Sequence, residues 1–144
     1  MRRIIYMKVT TDCTWMDGMA FESVMDGHKI IIDANPEVGG KDRGPRPKPL
    51  MLLSLAGCTG MDVISILGKM KQQPSWFNVK VDADQTEEHP KHYAKMVVIY
   101  QFKASDNLDK DKVEKAVMLS QERYCGVSHL LAKAAELDHR IEYL

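Results

Sequence analysis

The chain has 144 residues, with 20 lysines and arginines against 20 aspartates and glutamates, and so a formal net charge of zero. Its length fits a single domain over residues 1–144, one that buries roughly two-thirds of the surface its unfolded chain exposes. Balanced charge argues against nucleic acid as a partner, because phosphate binding favours a basic excess.

At the N-terminus, Arg2-Arg3 is followed only by Ile4-Ile5-Tyr6-Met7 before Lys8. That is too little for the apolar run of a secretory signal, and a cytoplasmic location is expected. Arg3 to Thr10 alternates, with Ile5, Met7 and Val9 against Tyr6, Lys8 and Thr10, which predicts a half-buried strand. Asp17-Gly18 and Asp26-Gly27 are hairpin dipeptides flanking a second strand, Met19 to Met25, and His28 to Asp33 reads as a third. The N-terminal part is therefore expected to be a three-stranded meander. Asn35 to Pro49 is loop, where Pro45, Pro47 and Pro49 hold the backbone extended and delay the next helix.

That helix is predicted from about Pro47 to Gln72, closed by Pro74. Leu50, Met51, Leu52, Leu53, Leu55 and Ala56 cover nearly every face of its first half, where a surface helix would show one stripe. Such a helix runs roughly 36 Å, against a radius of gyration of about 14–15 Å for a compact chain of this size. It should cross the subunit, with a second copy covering its apolar half, so a homodimer with a shared core is expected. The apolar run itself, Leu50 to Met61, is too short to span a bilayer and is closed by Asp62, and no membrane partner is expected.

Trp76 to Thr86 and Tyr93 to Ala104 read as two strands around the polar turn from Glu87 to His92. Asp109 is placed to cap a helix reaching Tyr124, with Val113, Ala116, Val117, Leu119 and Ser120 at helical spacing. A shorter helix is expected from Gly126 to Glu136 and a final strand from His139 to Leu144. The order β-β-β-α-β-β-α-α-β is an α+β plan in which sheets wrap helices.

The three cysteines, Cys13, Cys58 and Cys125, are an odd count that does not suit a disulfide-stapled secreted domain. In a reducing compartment such thiols are redox-active, metal-binding or inert. Cys13, in Thr11-Asp12-Cys13-Thr14-Trp15, reads as a packing residue near a strand end. Cys58 lies between Gly57 and Gly60, and glycines inside a helix cost about 1 kcal/mol each relative to alanine. Something must therefore come close there, a ligand or another part of the chain; the alternative is a small residue buried in an apolar helix. Cys125 stands where one helix ends and the next begins, so unpaired amides can favour its thiolate. Asp62 falls four positions after Cys58 on the same helix face. A bare carboxylate there raises the thiol's pKa, and it assists only if a cation bridges the two. His129, four after Cys125, is a base, a metal ligand or an ordinary surface histidine. His89 and His92 belong to a turn.

The stretches Gly44-Pro45-Arg46-Pro47-Lys48-Pro49-Leu50 and Leu55-Ala56-Gly57-Cys58-Thr59-Gly60-Met61-Asp62, followed by Tyr124-Cys125-Gly126-Val127-Ser128, resemble the OsmC/Ohr family, and more narrowly its YhfA-like branch. The resemblance spans essentially the whole chain, including the 67 positions (125 − 58) between the cysteines. It implies an OsmC-like fold, an intertwined homodimer of central long helices wrapped by sheets, with active sites at the subunit interface. It also implies that Cys58 attacks an organic hydroperoxide, that Cys125 resolves the sulfenic acid as a disulfide, and that a dithiol, including a lipoyl-type one, supplies electrons. No metal or bound cofactor is implied. Family members that reduce peroxides hold the first thiolate with an arginine oriented by a glutamate nine or ten residues before the cysteine. Here those positions are Pro49 and Lys48, so Lys48, Arg46 or Arg43 is the expected source of the cation. Apolar walls from Leu50, Met51, Leu53 and Met61 would suit a fatty or aromatic peroxide. Two other readings stand beside this one. One is a non-catalytic dimer that binds a small apolar ligand or senses oxidants; the other is a Cys58/Cys125/His129 metal site.

Overall fold

The computed structural model describes residues 2–144, which resolve into two compact units, residues 2–50 and residues 51–144. The first unit is an antiparallel meander of β1 (Thr14–Asp17), β2 (Ala20–Met25) and β3 (His28–Ile32). Its two hairpin turns fall on the anticipated dipeptides, with Gly18 and Gly27 at positive φ and Met25 paired with His28. The first strand is displaced from its expected place. Arg3 to Thr10 forms no strand, and Ile5, Met7 and Val9 are exposed. Alternation licenses a strand only where a neighbour completes its hydrogen bonds, and the position beside β2 is taken by Thr14–Asp17. Cys13 is likewise exposed just before β1, where a packing role was expected.

The loop after β3 is pinned from inside. The Asp33 side chain accepts from the backbone N–H groups of Ala34, Lys41 and Arg43 and from the Arg43 guanidinium, which also grips Asp17. Gly44 passes so close to β3 that a Cβ there would lie 2.0 Å from the Ile31 carbonyl oxygen, which only glycine allows.

Helix α1 (Pro49–Lys69) enters the second unit, which continues through β4 (Phe77–Gln85), β5 (Tyr93–Phe102), α2 (Lys110–Leu119), a π turn (Ser120–Tyr124), α3 (Gly126–Leu131) and β6 (Glu136–Tyr143). The element order and the α+β class are as the sequence predicts. In the sheet, β4 runs antiparallel to β5, and β6 lies parallel on the other side of β5. A parallel neighbour needs a crossover, and α2, the π turn and α3 supply it. The β6 ladder starts at Lys95↔Glu136, so pairing claims residues expected to end the preceding helix, which stops at Leu131. Asp109 caps α2 as expected, its carboxylate accepting from the Asp111 and Lys112 amides.

Leu55, Thr59, Val63 and Leu67, spaced by four, form the one fully buried stripe of α1. The apolar three join Met96, Val98, Tyr100, Phe102, Val113, Ala116 and Val117 in the core of this unit. The opposite side stays open, with Leu53 66% and Met61 73% exposed and Met51 and Ile64 also outside. Counted past Asp62 to Lys69, the whole helix is long and apolar enough to cross a bilayer by length and composition, a point the shorter run to Met61 does not reveal. Its buried stripe is nevertheless committed to a protein core.

Candidate dithiol site

Helix α1 and the junction between the π turn and α3 bring Cys58 and Cys125 together. The Cys58 and Cys125 side chains lie close enough to interact, and the Val127 amide acts on the Cys58 sulfur. Cys125 is the N-cap of α3, its Sγ accepting the Ser128 N–H at 3.3 Å. Cys125 is buried and Cys58 only partly so, which leaves Cys58 the more accessible of the two.

The electrostatics of Cys58 run against ready ionisation. Burial pushes its thiol up, the interaction with Cys125 adds to that, and the Val127 amide only partly offsets it. The charges that act on it, Cys125 and Asp62, both raise it further. Asp62 therefore behaves as a carboxylate without a bridging cation does.

Beneath the sulfurs runs a chain of buried hydroxyls that sequence reasoning missed. Ser120 donates to Asp62 Oδ2 at 2.9 Å, and its Oγ lies 2.8 Å from Thr59 Oγ1. Thr59 meets the Tyr100 hydroxyl, which accepts from the Gln121 side-chain amide. Because the carboxylate can only accept, the donors all point one way: Gln121, Tyr100, Thr59, Ser120, Asp62. Burial raises the Tyr100 hydroxyl's pKa, the hydrogen bonds to Thr59 and Gln121 pull it back, and Cys125 and Asp62 add to the rise. Ser128 Oγ is buried with no hydrogen-bond partner. The signal for the chain, polar residues at Thr59 and Ser120 on otherwise apolar helix faces, is in the sequence, but their meeting is not.

The remaining expected residues are distributed as follows. Gly60 permits close packing on β4, where a Cβ would sit 3.2 Å from Val79 Cγ2, whereas beside Gly57 the space is open. Gly57, Gly60, Leu53 and Met61 line an apolar groove of about 530 Å³ that reaches Trp76; Met51 is exposed on the same helix. Leu50, Lys48, Arg46 and Arg43 belong to the first unit. There Arg43 is engaged by Asp17 and Asp33, and Arg46 by Asp42, Asn35 and the Gly44 carbonyl. His129 is exposed on α3, and among the described residues no group of three metal-ligating side chains comes together.

A family model for OsmC-like protein matches residues 39–140. Protein YhfA of Escherichia coli (strain K12) is 34% identical over 130 residues, spanning 89% of this chain and 92% of YhfA. A crystal structure of a protein from Aquifex aeolicus VF5 matches with a TM-score of 0.79 at 25% identity, over 96% of this chain and 99% of that one. The structure of an organic hydroperoxide resistance protein OsmC from Legionella pneumophila, described as a redox protein, shares the fold at a TM-score of 0.66 and 15% identity, over 95% and 99%. An α+β chain with this element order is thus the fold these proteins share. The chain belongs to the OsmC-like proteins.

Proposed function

We propose that this protein, as a single OsmC-like domain, is a thiol-dependent peroxidase that reduces organic hydroperoxides through a Cys58/Cys125 dithiol–disulfide cycle. The observation that carries the reading is the interaction between two cysteine side chains 67 positions apart, 125 − 58. In the first step Cys58 sulfur takes the terminal peroxide oxygen. The O–O bond breaks, and the alcohol leaves with a proton. Cys125 then attacks the resulting sulfenic acid, the S–O bond breaks, and water departs as the disulfide closes before overoxidation. A dithiol reductant, of the lipoyl type among others, returns two electrons and two protons.

The working unit in this reading is a cytoplasmic homodimer. Two observations support the second copy: the open apolar side of α1, and the alternating, exposed Ile5-Met7-Val9 segment that lacks a strand beside it. Exposed contiguous apolar surface of this kind marks an interaction face. Thiolate formation at Cys58 needs a cation to overcome burial and the nearby negative charge, and Arg43, Arg46 and Lys48 are the candidates. The groove at Leu53 and Met61 would take the organic part of the peroxide. The test is consumption of cumene hydroperoxide with dihydrolipoamide as reductant. Wild-type protein is expected to turn over, Cys58→Ser to be inactive, and Cys125→Ser to stall after one equivalent. Unchanged turnover in Cys58→Ser ends the proposal.

The raised Cys58 thiol favours one other reading, a non-catalytic dimer that binds a small apolar ligand or senses oxidants. A ligand retained in native mass spectrometry, together with ordinary thiol reactivity, would select it.

A further inference from the structure

The hydroxyl chain joins the two cysteines by a second route besides their direct interaction. Thr59 follows Cys58 directly on α1. Ser120 opens the π turn whose last hydrogen bond runs from the Cys125 N–H to the Ser120 carbonyl at 2.8 Å. One residue thus carries both the side chain that grips Thr59 and the carbonyl that fixes Cys125. Thr59, Ser120 and Tyr100 are fully buried, and buried hydroxyls are costly unless paired. Paired as they are here, they allow a single arrangement of α1 against the turn, because any slip leaves several donors unmatched at once. A π turn widens the helix by one residue and recurs at functional sites. Here it is the widening that lets Ser120 face α1 while Cys125 still reaches the start of α3.

We propose that the Tyr100–Thr59–Ser120–Asp62 chain is a positioning clasp for the dithiol, holding Cys58 and Cys125 in register for disulfide closure. The inference rests on the Cys58/Cys125 cycle proposed above and names the residues that make its second step fast. Closure within one chain depends on the effective concentration of one thiol at the other, and that quantity is set by how few orientations the pair explores. With the clasp intact the pair is held at high effective concentration. Without it the sulfurs remain in the same unit but sample more arrangements.

The experiment uses the full-length protein equilibrated in mixtures of reduced and oxidised dithiothreitol, with the disulfide fraction read by mass spectrometry after acid quenching and alkylation. Two electrons and two protons pass from the protein dithiol to the oxidised reagent, so no peroxide is involved. Thr59→Val, nearly isosteric, and Ser120→Ala are each expected to lower the disulfide equilibrium constant about tenfold. That corresponds to a reduction potential about 30 mV higher. Thr59→Ser, which keeps the hydroxyl, should restore the wild-type value. Constants within twofold of wild type in both clasp variants, equal impairment in Thr59→Ser, or no Cys58–Cys125 disulfide in wild type would each overturn the inference. A tenfold effect in a protein that leaves cumene hydroperoxide untouched would uphold the clasp while ending the peroxidase reading.

Discussion

Asp33 in the N-terminal unit and Asp62 in the C-terminal unit are both carboxylates drawn away from solvent, and they meet opposite surroundings. Asp33 is enclosed by three backbone amides and the Arg43 guanidinium. Burial pushes its carboxyl up, but those donors outweigh burial and bring it down to about 2. Asp62 has the Ser120 hydroxyl as its hydrogen-bonded partner and stands one helical turn from a thiol whose ionisation it opposes. The first cluster neutralises itself and fixes a loop. The second leaves negative charge beside a reactive group, an arrangement that invites a cation from elsewhere. Buried charge that is fully paired reads as architecture, and a half-buried charge left uncompensated beside a nucleophile reads as a functional site.

The contrast can be broken most forcefully at Tyr100. Tyr100→Phe removes the hydroxyl between Gln121 and Thr59, stranding both partners. It should cost about 1–3 kcal/mol, measured as a fall in ΔG from urea unfolding. A change within error would mean that the chain contributes no net stability.

Acid separates the two carboxylates next. Because Asp33 falls from 3.8 to about 2 on folding, its contribution is present above its unfolded pKa and is lost as pH drops through the folded one. Stability should therefore decline between about pH 4 and pH 2, and Asp33→Asn should flatten that part of the profile. Equal slopes in the two proteins would remove Asp33 from the acid response.

The smallest effect sharpens the comparison at Asp62. Asp62→Asn keeps an oxygen to accept from Ser120 but removes the charge, which should bring the Cys58 thiol down toward its ordinary value. Alkylation by iodoacetamide at pH 8 should then rise several-fold, with Cys58 identified by peptide mass spectrometry. A slower reaction would mean that Asp62 orients a cation that assists the thiolate.

Much of this architecture was legible in the chain because it rests on local chemistry. Aspartate–glycine turns, the proline-stiffened loop before α1 and the Asp109 cap each follow from neighbouring residues. Cys58 and Cys125 stood out through their glycine neighbours, and Cys125 also through its place where two helices meet. What failed was the assignment that depended on a distant partner, the strand at Arg3 to Thr10, since alternation cannot say whether a neighbouring strand exists.

The sequence by itself determined the element order, the α+β class and which thiols to examine, because propensity, capping and periodicity act over a few residues. Only the tertiary structure decided that Cys58 meets Cys125 and that Thr59, Ser120, Tyr100 and Asp62 form one chain. Those facts arise between groups 41 to 67 positions apart, and hydrogen bonding and burial act through space, where separation along the chain carries no weight.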